Sequence, residues 1–174
     1  EHFNEAASAL QSVWSDTNLN DEQRHGSFGA DPLGTLAVQG RLSDTIDTAL
    51  SRAVALVKSA QAWPHVSALT ADGVSYHNAG ASEAQELAII LSTLVAYLRA
   101  CERGGVSPAD ALPKISVALA ADADQFSTIA KLRAARKLVW RVADACGAGA
   151  QAANVRFAVP TSYRMMAKRD CWTN

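Results

Sequence analysis

The alternation of apolar and polar positions along the chain predicts helices separated by short strands. Residues 1–14 place their apolar side chains on one helical face, and a second helix is predicted to begin at Ser43 as its N-cap, with Asp44 in the first turn. Residues 16–34 are polar and rich in glycine, which predicts a long loop. The second helix is expected to end before Trp63, since a residue that precedes proline resists the helical conformation.

The middle of the chain predicts two extended segments followed by a helix. Residues 66–70 alternate apolar with small polar side chains, which favours a strand, and residues 74–77 predict a second extended segment. Ser82 and Gln85 have the spacing of a capping box. The helix that they begin is expected to end at the glycine pair 104–105.

The last third of the chain repeats the order of strand, helix and strand. Residues 115–120 predict a strand, Asp122 or Asp124 caps a long helix that ends at Gly147, and residues 155–159 predict a further strand. The basic residues of the long helix are predicted to form a solvated face: Lys131, Arg133, Arg136, Lys137 and Arg141. Strands alternating with helices predict an α/β fold with a parallel sheet, either open and doubly wound or closed into a barrel.

Small side chains on the predicted strands bear on that choice. They are Ser67, Ala68, Thr70, Ser75, Ser116, Ala118, Ala120 and Ala158, in a chain with 35 alanines. A closed barrel normally fills its axis with bulky branched residues. Small residues pointing inward would leave that axis open for a long, thin ligand. The alternative is that they allow the helices to pack closely on the sheet.

Composition and charge exclude several classes of protein. Apolar residues make up 49% of the chain and the net charge is −1, which argues against a disordered chain and against nucleic-acid binding. Apolar runs are short, so no membrane span is expected. The three cysteines are Cys101, Cys146 and Cys171; their odd number and the lack of a leader segment predict free thiols in the cytoplasm.

One motif stands out after the common ones are excluded. No nucleotide-binding glycine fingerprint and no HExxH occurs, and we predict no metal site. Tyr76 and His77 end the predicted second extended segment and precede a small-residue turn, where barrel enzymes place their chemistry. A neutral imidazole can donate to a substrate carbonyl. The alternative is a histidine bonded within the protein beside a packing tyrosine.

Three segments resemble the methylmalonyl-CoA mutase family in order and spacing. They are residues 76–88, 124–136 and 161–174, and residues 29–57 resemble it more loosely. The resemblance implies a (β/α)₈ substrate barrel with acyl-CoA along its axis, and adenosylcobalamin carried on a separate domain. It also implies a radical rearrangement that interconverts methylmalonyl-CoA and succinyl-CoA, an isomerase reaction.

The resemblance assigns roles to five residues. Tyr76 and His77 match the family's pair whose imidazole contacts the thioester carbonyl, which implies that they are catalytic. Lys114 and Ser116 fall where the family has an Arg-x-Ser that holds the CoA part. Arg156 matches an arginine of the next strand that also faces CoA, so these three residues are implied to bind substrate.

Two departures bear on activity. Active chains carry His and Gln where this chain has Ala158 and Pro160, and the turn after His77 is two residues shorter, as in the non-catalytic small subunit of heterodimeric mutases. No Asp-x-His-x-x-Gly cobalamin motif occurs. Adenosylcobalamin is therefore expected on a domain or subunit outside this chain.

Residues 1–174 are accordingly expected to be a fragment of a partial TIM (β/α)₈ barrel, with roughly three to four βα units, and without the cobalamin domain. The expected function is part of a methylmalonyl-CoA mutase, with the fragment alone inactive. The alternatives are a small subunit that only supports an active partner, and a CoA-binding remnant without chemistry. Exposed barrel edges predict pairing with the mutase large subunit or self-association.

Overall fold

The computed structural model describes residues 3–17 and 19–169, without the side chain of Asn4. The helices are α1 (Phe3–Asp16), α2 (Pro32–Gln39), α3 (Ile46–Ser59), α4 (Val74–Asn78), α5 (Glu83–Arg103), α6 (Pro108–Ala111) and α7 (Gln125–Ala145). The strands are β1 (Gly26–Ala30), β2 (Val66–Asp72), β3 (Ile115–Ala118) and β4 (Phe157–Ala158). The four strands are parallel, and each pairs with the next one along the chain.

The strand order identifies a partial β/α barrel. In a doubly wound sheet the order reverses at a switch point, whereas here the spatial order follows the chain order throughout. Leu69, Ile115 and Val117 point to the same side of the sheet and are buried in one core with residues of α3, α5 and α7. The helices that connect the strands therefore cover one face, as in a barrel wall.

A single side chain shows that the sheet is strongly curved. The Nη1 atom of Arg156, just before β4, donates to the carbonyl oxygen of Gly26 in β1 at 3.1 Å. In a flat sheet these strands would lie three strand spacings apart, about 14 Å, which is more than an arginine side chain spans. The face opposite the helices is thus concave.

The register places small side chains on this concave face. Thr70 pairs with Ser116 and Ala118 pairs with Ala158, so side chains alternating with the helix-facing ones share the other side. From the predicted set, Ala68, Thr70, Ser116, Ala118 and Ala158 lie there. The prediction was wrong for Ser67, which shares the helix-facing side of β2, and for Ser75 and Ala120, which lie outside the strands.

The predicted second extended segment, residues 74–77, is instead the short helix α4. Asp72 explains the difference, because its carboxylate accepts the Val74 N–H and the Ser75 hydroxyl, both at 2.8 Å. Such side-chain bonds to the next residues turn the chain and begin a helix. Tyr76 and His77 therefore lie in a helical turn after β2 rather than at the end of a strand.

Two further predictions near the start of the chain were wrong. Residues 16–34 contain β1 and the beginning of α2, where Asp31 accepts the Gly34 N–H at 2.9 Å. Helix α3 begins after Thr45 rather than Ser43, because the Thr45 hydroxyl accepts the Thr48 N–H at 3.2 Å. A local cap thus fixes the start of each helix.

The later helix starts are confirmed. Ser82 and Gln85 form the predicted capping box, and the Gln85 side chain accepts the Ser82 N–H at 2.8 Å. Asp124, rather than Asp122, caps α7 and accepts the Ser127 N–H at 3.0 Å. The last predicted strand is confirmed only over its two central residues, Phe157–Ala158.

Helix α5 is the central helix of the core. By length and composition it is apolar enough to cross a membrane. Its buried face nevertheless packs Ile90, Leu94 and Tyr97 into the core shared with the sheet. It also buries the carboxylate of Glu86, which bonds residues on neighbouring elements.

Candidate functional site

The amino end of the concave face brings together Lys114, Ser116 and Arg156. Lys114 precedes β3, is 4% exposed and donates from Nζ to the carbonyl oxygen of Trp63. The Ser116 hydroxyl donates to the Leu69 carbonyl at 3.1 Å and lies 2.9 Å from the Thr70 hydroxyl. Because all three side chains lie on this face, the structure groups the residues that the resemblance assigned to one ligand.

The charges at this end remain uncompensated. Lys114 and Arg156 donate to neutral backbone carbonyls, and neither forms an ion pair with a carboxylate in the part of the chain that the structure describes. Burial lowers the pKa of Lys114, and the nearby Arg156 guanidinium lowers it further. An anion bound here would relieve that repulsion, so the amino end has the electrostatics of an anion-binding site.

A cleft beside these cations gives a ligand access. It measures 590 Å³ and is lined by Lys114 and Arg156, by polar side chains such as Gln61 and Asn154, and by one carboxylate, Asp110. The Asp110 carboxylate accepts the Ser107 hydroxyl at 2.6 Å. Its lining comes from the segments that precede β2, β3 and β4. The cleft therefore opens at the amino end of the sheet, next to the buried Lys114 and the half-buried Arg156.

An aromatic cluster that the sequence did not predict flanks the same end. Trp14, Phe28 and Trp63 have ring centroids 5.8–6.1 Å apart. A Cβ atom added to Gly26 would lie 3.1 Å from the Trp14 ring, so Trp14 packs directly on β1. The three rings come from distant parts of the chain, and no spacing in the sequence links them.

The predicted catalytic pair lies at the opposite, carboxyl end of the sheet. Asp72 at the end of β2 is level with Ala118, four residues beyond Lys114, which corresponds to about 13 Å along the strands. His77 has no exposed surface, and its Nε2 atom lies 2.7 Å from the Ser162 hydroxyl. The predicted contact of His77 with a thioester carbonyl stays a prediction, and it requires the ring to leave this partner.

His77 adjoins a buried ionic network. Its Nδ1 atom lies 3.5 Å from Glu86 Oε2, and the Lys131 ammonium lies 2.6 Å from the same oxygen and 2.5 Å from Glu83. Glu86 Oε1 also accepts the Ala120 N–H at 2.8 Å. The ligating atoms of His77, Glu83 and Glu86 lie within 4.8 Å of one another, but the lysine ammonium already compensates both carboxylates.

Lys131 corrects the prediction of a fully solvated basic face on α7. Its side chain is buried, whereas Arg133, Arg136, Lys137 and Arg141 are exposed as predicted. Neither Glu86 nor Ser162 stood out in the sequence either. A lysine six positions after the first residue of a helix has no sequence signal that separates a buried ion pair from a solvated side chain.

Tyr76 is the partly exposed member of the predicted catalytic pair. Burial raises the pKa of its phenol, and the carboxylates of Asp31 and Asp72 raise it further. Asp31 accepts the Tyr97 hydroxyl and the Gly34 N–H, and burial raises the pKa of its carboxyl group. The carboxyl end of β1 and β2 therefore presents a protonated phenol among acidic groups.

Comparison with known proteins places the chain in a family. A profile of the family described as methylmalonyl-CoA mutase matches residues 4–174. The chain belongs to the methylmalonyl-CoA mutase family. The methylmalonyl-CoA mutase small subunit of Streptomyces virginiae is 42% identical over 170 residues, which cover 97% of this chain and 27% of that protein.

Two other mutase relatives agree. The methylmalonyl-CoA mutase small subunit of Propionibacterium freudenreichii subsp. shermanii is 34% identical over 169 residues, 97% of this chain and 26% of that protein. The probable methylmalonyl-CoA mutase small subunit of Mycobacterium bovis is 43% identical over 147 residues, 84% of this chain and 23% of that protein. The chain thus spans about a quarter of the length of these mutase subunits.

Proposed function

We propose that this chain forms the CoA-binding part of the substrate barrel of a methylmalonyl-CoA mutase. The observation that carries the proposal is the grouping of Lys114, Ser116 and Arg156 on one concave face. Two cations without carboxylate partners suit the phosphates of CoA, and Ser116 can hydrogen-bond an amide of the pantetheine chain. The small side chains beyond them suit a thin acyl-pantetheine tail.

The proposed activity of the whole protein is the isomerisation of methylmalonyl-CoA to succinyl-CoA with adenosylcobalamin. Membership in a mutase family supports an isomerase-related role. Within the described residues, no imidazole at the carboxyl end has exposed surface that could meet cobalt, because His77 is fully buried, and His25 and His65 stack on each other at the amino end. We therefore propose that the cofactor is held by a domain or subunit outside this chain.

A second candidate is a small subunit that supports an active partner without chemistry of its own. The burial of His77, which leaves no imidazole surface for a substrate, favours it. Ala158 and Pro160, at positions where active chains have His and Gln, favour it as well. The relatives named small subunit add the same support, and the partner would then be the mutase large subunit.

Surfaces next to the last strand support an extended assembly. Phe126, Ile129 and Trp140 lie on one side of α7 and are 83%, 44% and 47% exposed. Beside them β4 forms an edge of the described sheet. We propose that this apolar face and edge pair with further barrel segments, with the large subunit, or with a second copy.

We place the protein in the cytoplasm, because Cys101 and Cys146 are both free thiols, as expected in a reducing compartment. Cys171 lies outside the described residues. The remaining expectations, that neither nucleic acid nor membrane is a partner, stay predictions.

Calorimetry with CoA and with methylmalonyl-CoA tests the proposal. Wild-type chain should bind both ligands, and replacing Lys114 and Arg156 together by glutamine should abolish binding while the fold persists by circular dichroism. No binding by the wild-type chain, either alone or assembled with its large subunit, would overturn the proposal.

Turnover of the assembled mutase separates the two candidates. Tyr76→Phe removes one partly exposed hydroxyl for which the structure shows no hydrogen bond. A lower turnover number in this variant would indicate that the chain is catalytic. Unchanged turnover, with CoA binding retained, would favour the supporting subunit or the CoA-binding remnant.

A further inference from the structure

Three loops meet at one buried pair at the carboxyl end of the sheet. Ser162 follows β4, and its N–H donates to the carbonyl of Ala121, which follows β3, at 2.6 Å. Its hydroxyl lies 2.7 Å from Nε2 of His77, which follows β2. Neither Ser162 nor His77 has exposed surface. One imidazole–hydroxyl pair therefore ties the loops after β2, β3 and β4 together.

The loop after β4 depends on this pair through a second set of bonds. The Arg164 N–H donates to the Ser162 hydroxyl at 3.2 Å, and Arg164 Nη1 donates to the carbonyls of His77 and Ala81 at 3.3 Å each. The guanidinium thus satisfies carbonyls around the end of α4. Releasing Ser162 would remove the acceptor of the Arg164 N–H, whereas the two guanidinium bonds do not involve the Ser162 side chain.

The pair has the order of a hydrolytic triad but not its access. In space, Ser162, His77 and Glu86 follow one another as the nucleophile, base and acid of such a triad do. All three side chains are nevertheless sealed from solvent. Within the described residues His77 Nδ1 has no hydrogen-bond partner: Glu86 lies 3.5 Å away, and its oxygens are bonded to Lys131 and to the Ala120 N–H. The Asp122 carboxylate lies 3.6 Å from Nε2, so the hydrogen bond to Ser162 is what holds the ring.

We infer that His77 is a positioning residue whose imidazole, bonded to Ser162 through Nε2, holds the loop after β4 against helix α4. The inference rests on these contacts and not on the proposed CoA binding. It gives His77 a structural role within the packed interior of the barrel fragment. Of the Tyr-His pair, only Tyr76 is then left with exposed surface.

Two conservative variants of His77 distinguish the contribution of its Nε2 atom from that of its Nδ1 atom. His77→Gln keeps a polar atom near the Nε2 position and can still bond Ser162, whereas His77→Asn keeps one near Nδ1 only. Hydrogen exchange of the amides of residues 161–166 is measured by mass spectrometry, with residues 90–100 of α5 as the internal control. We expect about tenfold faster exchange in His77→Asn and Ser162→Ala, and near-wild-type exchange in His77→Gln.

The double variant His77→Asn/Ser162→Ala supplies a further arm. Its exchange should be no faster than that of Ser162→Ala, because that variant already lacks the bond that His77→Asn breaks. Unchanged exchange in Ser162→Ala, a variant that removes only one oxygen, would overturn the inference even if the histidine variants fail to fold. Labelling of Ser162 by a fluorophosphonate in the folded wild-type chain would also overturn it, because the pair would then be an accessible nucleophile and base.

Discussion

The two ends of the concave sheet differ in whether their cationic side chains have carboxylate partners. At the amino end, Lys114 and Arg156 donate to backbone carbonyls and keep their positive charge uncompensated. At the carboxyl end, Lys131 lies between Glu83 and Glu86 in a buried network. Both ends carry a buried lysine, yet only one of the two has carboxylate partners.

This difference separates binding from support. A cation that bonds only neutral carbonyls keeps a positive potential around it. An anionic ligand that neutralises this charge offsets the free energy of burying the cation, and its affinity rises accordingly. A cation already paired with two carboxylates does not attract an anionic ligand. Its role is to hold the helices that carry the paired residues together. We therefore propose the amino end as the place for the ligand, whereas the ion pairs at the carboxyl end join α5 and α7.

The largest effect is expected from removing the charge that compensates the carboxyl end. Lys131→Met would leave the carboxylates of Glu83 and Glu86 without their cation, at a cost of about 3–5 kcal/mol in the free energy of unfolding. Lys137→Met, on the exposed side of the same helix, is the matched control and should change it by less than about 0.5 kcal/mol. Urea denaturation measures both, and equal effects of the two variants would contradict the pairing.

The amino end should respond in affinity rather than stability. Removing either cation takes away a charge-assisted bond of about 1.5–3 kcal/mol, so Lys114→Gln and Arg156→Gln should each weaken CoA binding about 10- to 100-fold. Their free energies of unfolding should change much less than in Lys131→Met. Arg133→Gln, an exposed arginine on α7, serves as the control for general charge effects. If it weakened binding as much, the loss could not be assigned to this cleft.

Two glycines give a sterically defined comparison of the ends. A Cβ on Gly73 would lie 2.8 Å from Glu86 Cγ and 2.9 Å from Ile90 Cγ2, so Gly73→Ala should push the buried glutamate away at a cost of about 1–3 kcal/mol. On Gly26 the nearest atom is a Trp14 ring carbon at 3.1 Å, and Gly26→Ala should cost less. Thermal unfolding compares them, and the reverse order would show that the network is not tightly packed.

The barrel wall could be predicted from the sequence because its signals are local. The capping box of Ser82 and the alternation in residues 66–70 each involve a few neighbouring positions, and the resemblance supplied the barrel topology. Strand β1 was missed because it lies in a segment rich in glycine and polar residues. The turn into α4 was missed because Asp72 redirects the chain through two side-chain bonds, which leave no periodic pattern in the sequence.

In the candidate site, too, some residues could be predicted from the sequence and others could not. Lys114 and Arg156 were named from matched motifs, and the structure brings them to one face. The polar groups around His77 belong to Ser162, Glu86 and Asp122, which lie 85, 9 and 45 positions away along the chain. They come together only when the segments that follow β2, β3 and β4 pack against one another. Contacts of that kind depend on the packed structure and leave no spacing to find.

The smallest expected effect concerns the protonation of Lys114 and has a definite sign. Burial and Arg156 lower its pKa in the free protein, whereas a bound phosphate favours the charged ammonium. Affinity for CoA should therefore be complete below the lowered pKa of Lys114 and should fall as pH rises through it, below the ordinary value of 10.5. Lys114→Arg keeps a charge throughout this range and should bind CoA with little dependence on pH. Calorimetry at increasing alkaline pH measures both, and parallel curves for wild type and Lys114→Arg would show that Lys114 does not face the ligand.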